Sequence, residues 1–474
     1  MSESKRFVEN LKTVILVVLF IMTILLLYLL WSGKSSRKIN ISEFLPFTGN
    51  KENSLQINDV LVPSSVAWSS GDGSFQYKTT DLQGPGEYFT EQLSALYKGT
   101  VLVYSITKDH FYQAVKENKS SVLQWTVDIP FEEFCRENGI TTAGGEGIAY
   151  IKSLAISGAA KDSIIVFDGV NELYYRLAAE GVEINPYESV SPDEDESACI
   201  YYPADVILGS ASEALLPIVE NSSLSDCRYA PELENSTEEL GTAMAEAVFG
   251  DTFDFVRRIT DDFGTVTYMY GYGQKTLTAN SDGSLEYKAE TSGESAGFYE
   301  DLQTCLDFVA SCGGWENSGV EDIQYKLADV ARSGSGKGMS YVFDFAAYIN
   351  GYQVYSEQGY PIVVGVTNGQ VSEYCRNAYK LTAYAEGEDR VVSDAANVIA
   401  NNAGHMYKVM KNYALSPDTD EAFTYVSNAV VSMKKGYYKY ESDSSIVPCW
   451  TVYMDNGTKF FFDLYEGVPL GFVR

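Results

Sequence analysis

Histidine is almost absent from this chain: His110 and His405 are the only two among 474 residues, and neither belongs to an HxxxH or HxH pair. A histidine-based metal site needs ligands at helical or strand spacing, so the pattern argues against such a centre. The sequence also lacks a GxSxG nucleophile elbow, and isolated residues do not make a Ser/His/Asp triad. We therefore expect ordinary histidines, no metal and no cofactor.

Cysteine is sparse as well: the seven cysteines are an odd number and contain no CxxC pair. This spacing is not that of a zinc ribbon or of a small disulfide-rich domain. Cys305 and Cys312 share a predicted helix but sit about two turns apart, too far to bridge directly. We expect most cysteines to be buried apolar side chains; the sequence leaves open whether any form disulfides.

Basic residues are outnumbered, since 34 Lys and Arg face 65 Asp and Glu and give a net charge of −31. Such a charge repels nucleic acid and anionic surfaces, so proteins are the expected partners; acidity by itself also keeps an exported protein soluble. The glycine-rich segment SGSGKGMS (333–340) has Ala331 and Gly338 where a phosphate loop needs Gly and Ser or Thr, and is predicted to be a turn. Among so many carboxylates a glycosidase-type pair has no positive support, and we predict no enzymatic activity.

The longest hydrophobic run is TVILVVLFIMTILLLYLLW (13–31), which contains no charge, Gly or Pro. At about 1.5 Å per residue it spans roughly 28 Å, close to the hydrocarbon thickness of a bilayer. Trp31 and Lys34 occupy the place where a signal peptide would be cleaved, which favours an uncleaved anchor. The sequence thus predicts a single transmembrane helix.

Three basic residues flank each side of this span, so the positive-inside rule does not orient it. The head of residues 1–12 is short enough to stay in the cytoplasm, and Tyr28 with Trp31 mark the interface next to the large domain. We expect a single-pass protein of the cell membrane, with a cytoplasmic N-terminus and an extracytoplasmic bulk.

The remaining chain is predicted to be α+β, with mixed and antiparallel sheets and packed helices. After a spacer (32–54) we expect an N-terminal ectodomain (55–240), a middle domain (241–390) and a C-terminal domain (391–474). Within the first, strands (163–169 and 172–178) alternate with helices (88–99 and 108–118), and 221–240 has the composition of a linker or surface crossing.

The second half contains the clearest hairpin pattern, 257–291, with apolar and polar residues alternating on both sides of Asp282-Gly283. A helix is predicted over 298–311, followed by strands that turn at Asn350-Gly351 and Asn368-Gly369. A helix near 420–434 and a meander turning at Asn456-Gly457 then repeat this order. Structural duplication and the general likeness of hairpins both explain the repetition.

Four segments carry a resemblance to a known family: the head and span (1–31), EYFTEQLSALYKG, GTVTYMYGYGQKTLTANSDGSLEYKAE and IVPCWTVYMDNGTKFFFDLYEG. Together they resemble the YycH family, membrane-anchored regulators of the WalK sensor histidine kinase in Gram-positive bacteria; the C-terminal part is similar to YycI. The resemblance implies a non-enzymatic accessory regulator that acts through its transmembrane helix and ectodomain. It also implies two partners, a sensor histidine kinase and a YycI-like membrane protein, in a homo- or hetero-oligomer.

The resemblance further implies that the span contacts the transmembrane helices of the kinase. Helices in lipid associate through packing and polar side chains, and Thr23 is the one polar residue in the middle of the span. We nominate one helical face for partner contact: Leu16, Leu19, Phe20, Thr23, Leu26, Leu27 and Leu30. The alternative is that Thr23 bonds its own backbone while this face meets lipid.

Two other functions stay open at this stage. The chain could be an anchored extracytoplasmic protein that binds a ligand in a cleft between domains, or a cell-wall enzyme. It could also be a scaffold in an envelope complex. Replacing the span by an unrelated apolar one separates these alternatives, because it impairs a regulator and leaves an anchored enzyme working.

Overall fold

The computed structural model describes residues 55–142, 147–188, 199–219, 223–232, 237–315, 319–320, 323–385, 390–412, 418–442 and 444–474. Over these ranges the chain has a mixed α+β fold, as predicted, with two large sheets and several packed helices. None of the helices in these ranges is long and apolar enough to cross a membrane. The predicted span (13–31) lies outside the described residues.

The first sheet contains nine described strands in the order β3-β7-β6-β5-β4-β1-β2-β8-β9, and every pair is antiparallel. In such a sheet alternate side chains point to opposite faces, so each strand supplies both faces. The strands are β1 (Pro63–Ser70), β2 (Phe75–Lys78), β3 (Val101–Ile106), β4 (Lys119–Pro130), β5 (Tyr150–Ser157), β6 (Ser163–Asp168), β7 (Leu173–Ala179), β8 (Cys199–Pro203) and β9 (Leu215–Val219).

The two faces of this sheet are covered unequally. The helices of this part are α1 (Ile57–Val60), α2 (Gln83–Leu96), α3 (Lys108–Lys116), α4 (Phe131–Glu137) and α5 (Ala204–Leu208). Phe89 of α2 and Phe131 of α4 join the main core against one face. On the other face Phe111 and Val115 of α3 cover only part of the surface. The rest of that face forms the floor of a groove.

The second sheet contains fifteen described strands, all antiparallel except for the parallel pair β17–β21. Its main path runs β11-β12-β13-β14-β19-β18-β16-β17-β21-β22-β10-β20, while β15 pairs with β16, and β23 joins β22 to β24. The strands are β10 (Cys227–Pro231), β11 (Arg257–Thr260), β12 (Val266–Tyr270), β13 (Lys275–Ala279), β14 (Leu285–Ala289), β15 (Gln324–Ser333), β16 (Ser340–Ile349), β17 (Tyr352–Tyr355), β18 (Ile362–Thr367), β19 (Gln370–Arg376), β20 (Tyr379–Tyr384), β21 (Val430–Tyr440), β22 (Ser445–Met454), β23 (Lys459–Asp463) and β24 (Pro469–Val473).

Four helices of the described chain accompany this sheet: α6 (Thr237–Phe249), α7 (Phe298–Ser311), α8 (Ala395–Lys411) and α9 (Thr419–Ala429). The bounds of α7 are those predicted from the sequence. Its buried side chains recur at helical spacing, with Phe298, Leu302, Leu306 and Val309 on the core side. Short 3₁₀ turns occupy Gly250–Phe255 and Gly336–Gly338, so the predicted turn within 333–340 is confirmed.

The predicted hairpin turns all occur, in two conformations. At Asn350-Gly351 and Asn368-Gly369 both residues have positive φ, which matches the right-handed twist of the flanking strands. At Asp282-Gly283 and Asn456-Gly457 only the glycine does, and its N–H donates to the carbonyl three residues earlier. These two turns therefore need glycine at one position only.

Two sequence-based assignments were wrong. The segment 221–240, predicted to be a linker, contains β10, which lies between β20 and β22 with Cys227 and Tyr229 buried. A five-residue strand flanked by polar residues is too short to show its alternation. The helix predicted over 420–434 ends at Ala429, because the β-branched pair Val430-Val431 begins the long strand β21.

Hydrogen bonds join the two sheets at two places. At one place the Arg332 guanidinium of β15 donates to the Asp128 carbonyl of β4. At the other, the Ser212 hydroxyl donates to the Val430 carbonyl at 2.5 Å, and the Ala211 N–H to Asn428 Oδ1 at 2.7 Å.

A fully buried ion pair lies inside the second sheet. Arg376, 1% exposed, forms a two-pronged contact with Glu232, with Nε to Oε2 at 2.8 Å and Nη2 to Oε1 at 2.9 Å. Arg376 Nη1 also donates to the Gly314 carbonyl at 2.9 Å, and the neighbouring Tyr374 hydroxyl donates to the Cys312 carbonyl at 2.9 Å. One guanidinium thus joins the end of β10, strand β19 and the turn after α7.

We expect Arg376→Met to lower the free energy of unfolding by about 3–5 kcal/mol, because it leaves the Glu232 carboxylate buried and unpaired. Arg376→Met combined with Glu232→Leu should recover most of this loss. Denaturant unfolding of the full chain, followed by tryptophan fluorescence, measures both. Arg257→Met on the exposed strand β11 is the control, at about 0.5 kcal/mol or less. Equal losses in Arg376→Met and the control would contradict this account.

Candidate functional site

The uncovered face of the first sheet forms a groove of about 980 Å³. Its floor is the sheet, one wall is α3, and the opposite wall combines the loop 210–215 with residues 431–434 of β21. The second sheet thus closes a surface that the first sheet leaves open. Pockets of this size, placed between two structural units, are typical binding sites.

A row of polar side chains crosses the floor of this groove. Ser65 of β1 lies directly opposite Gln124 of β4, and Gln124 lies opposite Ser153 of β5. Ser65 is 2% exposed and Ser153 7%. Among the described residues none of these three side chains has a hydrogen-bond partner. We name Ser65, Gln124 and Ser153 the polar row; its hydrogen-bonding groups face the groove.

Aromatic pairs flank the polar row on both sides. Next to Ser153 in the register comes Phe167, whose ring stacks on Tyr174 with centroids 4.6 Å apart. On the other side the rings of Tyr77 and Tyr201 lie 4.5 Å apart. The floor therefore has a band of hydroxyl and amide groups between two pairs of aromatic rings.

At the edge of the groove Lys108 and Glu213 form an ion pair, with Nζ and Oε2 2.8 Å apart. Burial, together with the Glu213 carboxylate, raises the pKa of Tyr112 to about 12. Burial, with Tyr112 beside it, also raises the pKa of Tyr174. Both phenols stay protonated at neutral pH and can donate hydrogen bonds.

The groove continues into a second compartment of about 310 Å³ between the sheets. Tyr77, Gln124 and Tyr201 line both compartments, so the two are contiguous. The second one is rich in lysine: Lys152, Lys326, Lys434 and Lys435 all line it. In a chain with a net charge of −31 this is an unusual concentration of positive charge.

Two of these lysines lie over aromatic rings. Lys326 Nζ is 4.8 Å from the ring centre of Tyr348, and Lys434 Nζ is 6.0 Å from that of Tyr77. Within the described part of the chain, neither ammonium pairs with a carboxylate. Burial lowers the pKa of Lys326, since no opposite charge compensates its desolvation. The second compartment is therefore suited to an anionic group.

A strongly perturbed carboxylate lies elsewhere, on the second sheet. Asp344 of β16 faces Asp329 of β15 directly, and burial, with the charges of Asp329 and Glu373, raises the pKa of Asp344 to about 7. Asp329 and Asp344 line neither compartment of the groove. This carboxylate pair is thus separate from the site that a ligand can enter.

The sequence located none of the groove residues in advance. The nominated contact face (Leu16, Leu19, Phe20, Thr23, Leu26, Leu27 and Leu30) lies outside the described residues. Of the seven cysteines, none is bonded to another, and all but Cys375 are buried, which confirms the expectation of mostly buried apolar side chains. No sequence signal singles out the polar row, because each of its three strands contains several polar residues and only the strand register aligns Ser65, Gln124 and Ser153.

Comparison with known proteins identifies the fold. Residues 9–138 match the family model described as YycH protein, N-terminal domain. Residues 9–138 are thus similar to the N-terminal domain of YycH proteins. The predicted resemblance to the YycH family is thereby confirmed, and Ser65 and Gln124 of the polar row fall within the matched residues.

The crystal structure of YycH from Bacillus subtilis matches with a TM-score of 0.50 and 15% sequence identity. The match covers 88% of this chain and 97% of that chain. At this identity the likeness shows a shared fold, so the chain has the YycH fold over most of its length. No curated protein matches the sequence.

The pKa of Asp344 predicts a pH-dependent stability. In the folded chain the pKa of its carboxyl is raised from 3.8 to about 7. Between these two pH values the folded chain therefore binds more protons than the unfolded chain. Stability should fall as the pH rises through this window. We expect Asp344→Asn to be more stable than the natural chain at pH 8 by about 1–2 kcal/mol, a value reduced for solvent screening of a partly exposed side chain.

Denaturant midpoints measured from pH 8 down to pH 4 test this expectation, since the gain should shrink steadily as Asp344 becomes protonated. Asp262→Asn, on the exposed turn after β11, is the matched control and should show no such trend. A gain that stays constant across the pH range would show that charge on Asp344 is not its cause.

Proposed function

We propose that this chain is a membrane-anchored, non-enzymatic accessory regulator of a WalK-like sensor histidine kinase. Its principal support is the match to the YycH N-terminal domain, which begins at residue 9 and so includes the hydrophobic run 13–31. The shared YycH fold over most of the chain adds to it. The proposal extends to a YycI-like partner in the same complex.

The proposed arrangement is that of a single-pass protein of the cell membrane. Residues 1–12 form the cytoplasmic head, 13–31 the transmembrane helix and 32–54 a spacer; the ectodomain follows as 55–240, 241–390 and 391–474. Nineteen uncharged, mostly apolar residues are long enough to span a bilayer as a helix. The contact face around Thr23 is the proposed site of contact with the kinase helices.

Such a helix acts by binding one signalling state of the kinase more tightly than another. A coupling of about 1–3 kcal/mol between regulator and kinase changes activity roughly 5- to 150-fold. Packing and one hydrogen bond between membrane helices supply energies of this order. No covalent chemistry is needed for this role.

A second candidate function is supported by the groove. A lysine-rich compartment continuous with an aromatic and polar floor is suited to ligand binding. An anchored ligand-binding protein, or a cell-wall enzyme, remains the alternative. Regulation and ligand binding are compatible, because a bound ligand can bias the same two states of the partner.

The decisive experiment replaces residues 13–31 by a neutral poly-leucine span of equal length. Crosslinked pull-downs from native membranes should recover a sensor kinase and a YycI-like protein with the natural chain and lose both with the replacement, because poly-leucine lacks the specific contact face. Recovery of no kinase by either chain would rule out the regulator. Equal recovery by both would rule out the membrane helix as the contact.

A finer test uses Thr23→Val, which removes one hydroxyl at nearly constant volume. If Thr23 bonds a kinase helix, we expect association to weaken by about 0.5–2 kcal/mol. Leu25→Val, on the opposite side of the helix, is the control. If Thr23→Val weakens association no more than Leu25→Val does, the result would support the alternative, in which Thr23 bonds its own backbone.

A further inference from the structure

The polar row is the feature of the groove that is most open to a ligand. The serines Ser65 and Ser153 are buried and Gln124 is half-buried, and none of the three side chains has a hydrogen-bond partner among the described residues. They lie side by side on neighbouring strands, and polar groups in such a position are nearly always hydrogen-bonded to water or to a ligand. Their shared direction presents three sets of donors and acceptors to whatever enters the groove.

The chemistry of the floor restricts that occupant. A purely apolar ligand would leave the polar row without partners, while a ligand with no apolar face would gain nothing from the rings of Phe167, Tyr77 and Tyr201. A sugar offers both kinds of surface, because its hydroxyls bond polar groups and its C–H faces pack on aromatic rings. Three neighbouring strands span roughly 10 Å, about the length of a disaccharide.

An extended peptide fits this floor less well. Peptides that bind sheets usually add a strand at an exposed edge and pair there through backbone groups. The floor here is the face of β1, β4 and β5, and each of these strands is already paired on both sides. A ligand over the polar row must bring its own hydroxyls or amides.

The second compartment adds a charge requirement. Lys326 and Lys434 are free of carboxylate partners within the described chain, and Gln124 connects their compartment to the polar row. In a partly buried site an ammonium group binds an anion more strongly than it does in water. A ligand that fills both compartments therefore carries a negative group at one end.

We propose that the groove binds an acidic oligosaccharide. Its sugar rings lie over the polar row between the two aromatic pairs, and its carboxylate reaches Lys326 and Lys434. This assignment is independent of the proposed regulation of a kinase, because it depends on the groove alone. Binding forms and breaks no covalent bond.

Isothermal titration of the full-length chain in lipid nanodiscs tests the assignment with two probes of equal length. Hyaluronan tetrasaccharide carries carboxylates, and chitotetraose, also built with N-acetylglucosamine, carries none. We expect the acidic probe to bind at least 10-fold more tightly, with an affinity that falls as salt is added. The titration extends to a 10-fold molar excess of probe at about millimolar concentration, because a millimolar Kd is roughly the weakest that the method resolves. If neither probe gives heat of binding under these conditions, the proposal is overturned.

Three variants assign the contacts. Lys326→Met should weaken the acidic probe about 10-fold and leave chitotetraose unchanged, because it removes charge only. Gln124→Leu should weaken both probes, since it removes part of the polar row. Lys161→Met, in an exposed pair with Glu183 outside the groove, should change neither.

Lys434→Met provides a second removal of charge if Lys326→Met alters the fold, which circular dichroism and the thermal transition report. Equal binding of both probes by the natural chain overturns the anionic requirement. Binding that Gln124→Leu and both lysine variants leave unchanged overturns the location in the groove.

Discussion

The ion pair between Arg376 and Glu232 is the interaction on which the second sheet depends. A buried guanidinium is tolerated only when it is paired and fully hydrogen-bonded, and here Glu232, Gly314 and Tyr374 provide its partners. These partners come from segments far apart in the chain, so the pair forms only when β10, β19 and the turn after α7 have assembled. Removing one partner leaves a charge in the core and affects all three at once.

The position of β10 links this core to the groove. Because β10 is held between β20 and β22, the chain that leaves the first sheet is fixed at the second. The contacts of Ser212 with Val430 and of Arg332 with Asp128 then place β21 opposite the uncovered face of the first sheet. The groove is therefore a product of how the sheets meet, and its polar row and the two lysines without a carboxylate partner in the described chain come from different sheets. Lys326 and Lys434 belong to the second, and Ser65, Gln124 and Ser153 to the first.

Local pattern was a good guide wherever structure is local. Helix α7 and the hairpin turns at Asn350, Asn368 and Asn456 could be predicted, because helical spacing and Asn-Gly pairs act over a few residues. The pattern failed at β10, whose burial comes from distant strands. It failed again at Ala429, where a helix passes directly into a strand and the apolar residues of both read as one run. The resemblance to the YycH family rested on several segments spread along the chain. Each motif is weak by itself, but together they were enough to indicate the family.

What the sequence determined by itself is the α+β class, the acidity, the hydrophobic run at 13–31 and the YycH resemblance. Composition and short-range periodicity carry the first three, and the motif segments along the chain carry the resemblance. Tertiary structure alone decided the groove. Ser65, Gln124 and Ser153 are each unremarkable in sequence, and only antiparallel register puts them in one line. Likewise, Lys326 and Lys434 line a compartment together with Gln124 only because the second sheet packs against the first at that point. Register and sheet packing are long-range properties, and no local pattern of residues records them.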